Sequence, residues 1–248
     1  MAQVLITGGS SGIGLELAKQ FAADGYKIIL SSSNADRLLA AKETIEKRYH
    51  VQVSIYTFDL AKQGMAERLY EAVRAEGHMI DVLVNNAGIG TIGATEQIPL
   101  EKDEALMALN MMAPVVLTKL FLKDMYVRQS GRILNVCSTG AYQPGPYTAT
   151  YYASKSFLLS YTKAVRYEAK AHGVSVCALC PGTTATDFFK RADSKTPKGA
   201  MSAERVAAYA YKQFKRGKVE IIPGMIFRIM KLCPVSIKTA VVARIKGV

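Results

Sequence analysis

Tryptophan is absent from the 248 residues, histidine occurs three times and cysteine four times. The cysteines, Cys137, Cys177, Cys180 and Cys233, do not form the pattern of a disulfide framework. Cys177 and Cys180 match C-x-x-C, but they lie in the apolar run Val174–Cys180 with no helix opening between them. They read as strand residues rather than a redox or metal pair, and no metal site is expected. No stretch reaches about 18 uninterrupted apolar residues, which argues against a spanning helix. No signal-peptide pattern precedes the first apolar run, so a reduced cytoplasmic compartment is expected. Without tryptophan, zinc-finger spacing or a long Lys/Arg run, no nucleic-acid partner is expected either.

Acidic residues are scarce in one region only. Residues 190–248 hold 14 of the 32 basic residues and 3 of the 20 acidic ones. The overall formal charge of +12 therefore sits almost entirely in the last quarter, and the body is nearly neutral. Such a surplus attracts anionic lipid, nucleotide phosphates or an acidic protein partner.

Strand-like apolar runs alternate with amphipathic stretches. Runs at 2–6, 27–30, 51–58, 80–85, 132–136, 174–180 and 219–222 are separated by helical patterns at 12–23, 35–49, 65–77, 102–129, 151–172 and 203–216. This alternation predicts right-handed βαβ units and one doubly wound α/β domain with a parallel seven-stranded sheet. Residues 1–190 would form the core, and 191–248 a lid, last helix and strand, and basic tail of the same domain.

The first run leads into Thr7-Gly8-Gly9-Ser10-Ser11-Gly12-Ile13-Gly14. Glycines there permit a tight turn and close approach to a pyrophosphate, with a helix N-terminus facing it. Gly8 to Gly12 also satisfies the hydrolase elbow G-x-S-x-G. That reading needs a later acid and then a histidine. His50, His78 and His172 stand near predicted helix ends, where capping accounts for them.

Further motifs make the chain resemble the short-chain dehydrogenase/reductase family to about residue 190. They are Thr7–Gly14, Asn85-Asn86-Ala87-Gly88, Asn110, Ser138, Tyr151-Tyr152-Ala153-Ser154-Lys155, Pro181-Gly182 and Thr186. The resemblance is to bacterial ketoacyl reductases and hydroxysteroid dehydrogenases, and implies a Rossmann domain. Tyr151 and Lys155, four apart, share a helix face; Tyr152 points away. By resemblance Tyr151 is the general acid in reduction and the base in oxidation. Lys155 lowers its pKa and bonds the nicotinamide ribose. Ser138 donates to the carbonyl oxygen, and Asn110 holds a relay water. Asn85 and Asn86 are expected to tie strand ends together, Asn86 with Ala87 and Gly88 also contacting cofactor.

The family's acid at the end of the second strand selects NAD by binding ribose hydroxyls. Here that position falls near Ser32, and Ser33 stands where many NADP members carry arginine. NADP(H) is favoured, with Ser10, Ser11, Ser32, Ser33, Asn34 and Arg37 near its phosphates; NAD(H) is the alternative. Asp59 and Leu60 match the adenine contact, with a helix N-cap as the second reading of Asp59. Pro181, Gly182, Thr184 and Thr186 complete the cofactor set.

The substrate-facing segment would be 183–200, with Phe188, Phe189, Lys190, Arg191, Lys195 and Lys198, walled by 90–93 and 142–147. Aromatics beside cations suit a lipid-like ketone, such as a 3-oxoacyl thioester on coenzyme A or an acidic acyl carrier protein. A steroid or small carbonyl is the alternative, and a nucleotide-sensing binding protein the non-enzyme one. Two basic amphipathic pieces, 225–233 and 237–248, suit peripheral contact with a membrane, a cover over the cleft or an oligomer interface. By resemblance a homodimer or homotetramer is expected, through 102–129 and 151–172.

Overall fold

Seven apolar runs become one parallel sheet in the computed structural model, which describes residues 1–188, 197 and 199–246. The strands are β1 (Gln3–Thr7), β2 (Lys27–Ser32), β3 (Val53–Thr57), β4 (Val82–Asn85), β5 (Gly131–Val136) and β6 (Val174–Leu179), then β7 (Thr184–Ala185), β8 (Met201–Ser202) and β9 (Glu220–Ile221). The order is β3-β2-β1-β4-β5-β6-β9, while β7 and β8 pair separately. The helices are α1 (Gly12–Ala23), α2 (Ala35–Tyr49), α3 (Met65–Ala75), α4 (Leu100–Met107), α5 (Ala113–Arg128), α6 (Ala149–Lys170), α7 (Ala203–Lys215), α8 (Met225–Leu232) and α9 (Val235–Lys246).

The strands are apolar throughout because both faces of the sheet are covered. Alternate residues point to opposite sides. Val4, Ile6, Ile28 and Leu30 pack with Leu17, Phe21 and Phe214 under α1, α2 and α7. Leu5, Ile29 and Leu83 pack with Leu69, Leu117, Phe121 and Val165 under α3, α5 and α6. Cys177 and Cys180, an odd number of positions apart, fall in different clusters and are both free thiols. The C-x-x-C spacing thus places them on opposite faces.

Buried amides tie the strand ends. Asn85 donates to Thr118 Oγ1 (3.1 Å) and Asn135 Oδ1 (2.8 Å), and Asn135 donates to Thr162 Oγ1 (2.9 Å). This joins β4 and β5 to α5 and α6. Connections leave β1 towards β2 and leave β4 towards β5, in opposite directions. The crevice at the carboxyl ends of β1 and β4 is where such sheets bind ligands.

Two features differ from the sequence reading. The helix expected at 102–129 begins at Leu100 and widens into a π turn at Ala108–Met112. Pro114 has no N–H for the Asn110 carbonyl, so a regular α turn cannot pass through that point. Taken as one helix, Leu100–Arg128 is long and apolar enough to cross a membrane, although no single run suggested it. Leu106, Leu117, Phe121 and Met125 on it are nonetheless buried in the fold.

Candidate active site

The glycine loop is built around an amide. Asn86 Nδ2 donates to the carbonyls of Thr7 (2.9 Å) and Gly8 (3.1 Å), while Thr7 Oγ1 accepts from the N–H groups of Asn86 and Ala87. Gly8 has φ +63°, and a side chain on it would stand 2.9 Å from Ala87 Cα. A Cβ on Gly14 would stand 2.4 Å from both Asn86 Nδ2 and the Gly8 carbonyl oxygen. Both positions require glycine. Ser11, at the N-cap of α1, makes no side-chain cap bond. The helix start therefore offers first-turn N–H groups and a hydroxyl to an anion.

From this loop a cavity of about 730 Å³ runs across the sheet to α6 and beyond. Every residue expected at the cofactor and reaction sites lines it, save Gly14 and Asn110, which lie behind the lining. Asn86 lines it too, but its amide hydrogens are engaged with the loop, so its role is to hold the loop's shape.

At the adenosine end, Asn34 is the N-cap of α2, accepting the Arg37 N–H at 2.8 Å. Ser32 Oγ accepts from the Asn34 N–H at 3.3 Å. Arg37 pairs with Asp187 at 3.2 Å, both half exposed, an exchangeable contact worth little by itself. Asp59 accepts from the Ala61 N–H at 3.2 Å and closes a turn. It is not a helix N-cap, because α3 starts only after Gly64. The arrangement fits a dinucleotide: a cradle no side chain can enter, a helix N-terminus, and hydroxyls with one cation at the far end.

At the reaction end, α6 presents Tyr151 and Lys155, and Ser138 follows β5. Lys155 Nζ donates to the Val136 carbonyl at 2.9 Å. A side chain on Gly88 would meet Asn110 Oδ1 at 3.1 Å and Lys155 Nζ at 3.3 Å, so these two groups converge there. Asn110 is clamped: its amide donates to the Ile89 carbonyl (2.9 Å) and Ser154 Oγ (3.1 Å), and its oxygen accepts from the Ile89 N–H. Both amide hydrogens are occupied, so a relay water here would rest on oxygen atoms or on Lys155.

Burial pushes the Tyr151 phenol up to about 12, with the Ser138 hydroxyl pulling it the other way. Burial also draws the Lys155 ammonium down. The expectation that Lys155 lowers the Tyr151 pKa is not met in the protein alone. The ammonium turns to the Val136 carbonyl and stands 5.9 Å from the Tyr151 ring centre. Phe188 packs 5.2 Å from that ring, and Tyr152 instead packs against Gly140 and Gly145. Phe189, Lys190, Arg191, Lys195 and Lys198 lie outside the described residues.

The sequence reading offered a cover over the cleft as one use of 225–233 and 237–248, but singled out no residue of the far wall. Phe227 and Met230 of α8, and Lys238, Val241 and Ile245 of α9, line the cavity. Their spacings, three apart on α8 and three and seven from Lys238 on α9, were the available signal.

Residues 2–197 match the family model described as short chain dehydrogenase. D-beta-hydroxybutyrate dehydrogenase of Cupriavidus necator is 32% identical over 202 residues, covering 81% of this chain and 78% of that protein. Dehydrogenase/reductase SDR family member 7B of Bos taurus is 34% identical over 194 residues; the match covers 75% of this chain and only 59% of that longer protein. A short-chain dehydrogenase from Sphingobium yanoikuyae, solved in complex with NADPH, superposes with a TM-score of 0.87 at 27% identity, over 100% of this chain and 96% of that one.

Proposed function

The chain belongs to the short-chain dehydrogenase family, and from that premise we propose an NADP(H)-dependent oxidoreductase acting on a lipid-like ketone or its secondary alcohol, such as a 3-oxoacyl thioester. Carbonyl–alcohol interconversion with a nicotinamide cofactor is the family's chemistry. The observation that carries the reading is one cavity joining the glycine cradle to Tyr151, Ser138 and Lys155.

When bound, the nicotinamide supplies or accepts the hydride. The chain's own residues handle the oxygen. Tyr151 Oη gives its proton to the carbonyl oxygen in reduction and takes it back in oxidation. Ser138 Oγ donates a hydrogen bond where negative charge grows on that oxygen. Lys155, fixed by the Val136 carbonyl, holds positive charge beside Gly88 and the ribose side of the cleft. Phe188 packs on the Tyr151 ring and covers one side of the proton donor.

Support for NADP(H) comes from Ser32, Ser33 and Arg37 lining the expected adenosine end, and from β2 ending in serines with no carboxylate. The NADPH complex of the Sphingobium relative agrees with it. A panel of ketones followed by nicotinamide absorbance, with NADPH and NADH separately, tests both proposals. NADPH is expected to be preferred, and Ser32→Asp to reverse that preference by about tenfold or more, one tenfold step being about 1.4 kcal/mol. A wild type that prefers NADH overturns the cofactor assignment.

A separate observation supports contact with an anionic membrane. Residues 221–248 hold five basic and no acidic side chains. Met225, Ile226, Ile229 and Leu232 are exposed on α8, Leu232 by 84%. Apolar residues beside cations suit an acidic lipid surface. Co-sedimentation with phosphatidylserine vesicles, absent with phosphatidylcholine alone, is expected, and Ile226→Glu with Leu232→Glu should abolish it. Equal recovery of both proteins in the pellet would refute the contact.

A further inference from the structure

Beyond the reaction centre the cavity ends at a buried cation. Lys238 is only 7% exposed, yet it lines the cavity. Its ammonium donates to the carbonyls of Tyr142 (3.1 Å) and Lys231 (3.4 Å). No carboxylate lies within ion-pairing distance of it among the described residues. The neighbouring carboxylate is already shared. Glu220 accepts from the Tyr142 hydroxyl (2.6 Å), pairs with Lys163 (3.1 Å) and pairs with Lys231. Lys163 and Lys231 therefore share that carboxylate, while Lys238 has only carbonyl partners among the described residues.

A buried charge held by carbonyls alone is costly, and an incoming anion relieves that cost. Around Lys238 the wall is apolar, with Val241 and Ile245 on the same face of α9 and Phe227 and Met230 on α8. Phe227 can approach because residue 182 is glycine; a Cβ there would stand 2.2 Å from its ring. Lys231 also lines the cavity but is already paired with Glu220, so Lys238 in this largely apolar wall fits a ligand with an apolar body and one terminal anion.

We propose that Lys238 is a carboxylate-recognition residue and that the substrate is an oxo acid or hydroxy acid, its carboxylate seated on the Lys238 ammonium and its chain along α8 and α9. The proposal rests on carbonyl–alcohol interconversion at Tyr151 and, within the lipid-like ketones, puts a free acid in place of the thioester.

The test compares medium-chain oxo acids with their methyl esters. The wild type should favour the acids in kcat/KM. Lys238→Met should lower the acid-to-ester ratio by about 10- to 100-fold, through KM rather than kcat, as for loss of a charged hydrogen bond. Lys238→Arg should restore most of it. A purely structural role, in which Lys238 only caps α8 and tethers the Tyr142 loop, would change acids and esters alike. Independently of any variant, hexanoate should inhibit the wild type competitively and hexanamide much less. If esters turn over in a Tyr151-dependent way with no preference for acids, and hexanoate matches hexanamide, the anion subsite is overturned and the carbonyl reading stands. If no ketone or alcohol turns over, both fall.

Discussion

Tyr151→Phe removes about two to four orders of magnitude from kcat, the usual worth of a positioned acid or base. The substitution deletes one oxygen and keeps the ring, with its packing 5.2 Å from Phe188 and 5.9 Å from Tyr152. Thermal stability and nicotinamide binding should therefore stay near wild type while turnover collapses. A variant within tenfold of wild-type kcat would remove Tyr151 from the chemistry and favour the nucleotide-sensing alternative. The pH profile carries a second signature. In the protein alone burial pushes the phenol up to about 12. The protonated form is the proton donor, so reduction holds level through neutral pH and falls only as pH rises through the phenol's pKa. Oxidation needs the deprotonated form and rises over the same range. Both limbs should vanish in the phenylalanine variant.

Gly14→Ala weakens cofactor binding by about 10- to 100-fold, and it does so against the ordinary trend for helices. Within a helix, replacing glycine by alanine gains up to about 1 kcal/mol. Here the new methyl group would stand 2.4 Å from the Gly8 carbonyl oxygen and the Asn86 amide nitrogen. Overpacking of this kind costs about 1–3 kcal/mol. Neither neighbour can yield freely, since the Asn86 amide holds Thr7 and Gly8 at 2.9 and 3.1 Å. Relief means pushing the cradle open, where a pyrophosphate must sit. Titration of NADPH fluorescence and a melting curve measure both consequences; unchanged affinity would show that the loop tolerates the methyl group.

How much of this was legible in the sequence depended on where the deciding interaction lay. The seven strand runs, the glycine cradle and the Tyr151–Lys155 spacing are local, and one stretch of chain is enough to read them. The Asn85 and Asn86 ties were also foreseeable, because an amide at a strand end has few other ways to be satisfied. The break at Asn110 had a local signal in Pro114, four residues on. Long-range facts were not legible. The Lys155 ammonium settles on the Val136 carbonyl because α6 packs on β5, and burial of the phenol raises the Tyr151 pKa instead of the expected lowering. Asn34 and Arg37 were read as phosphate ligands; the structure also gives Asn34 a helix cap and Arg37 a partner in Asp187, 150 positions away. Lys238 read as one cation among many in a basic tail, since nothing in its neighbours says that it is buried.

The division of the cavity between segments bears on how such a protein can diverge. The cofactor cradle, Tyr151, Lys155 and Ser138 all lie before residue 188, whereas the wall carrying Lys238 comes from α8 and α9. On the carboxylate-recognition proposal, exchanges along that face of α9 would alter what is bound while leaving the residues before 188 unchanged. A duplicated copy could therefore acquire a new ligand preference by drift in a few helical positions, with no inactive stage in between.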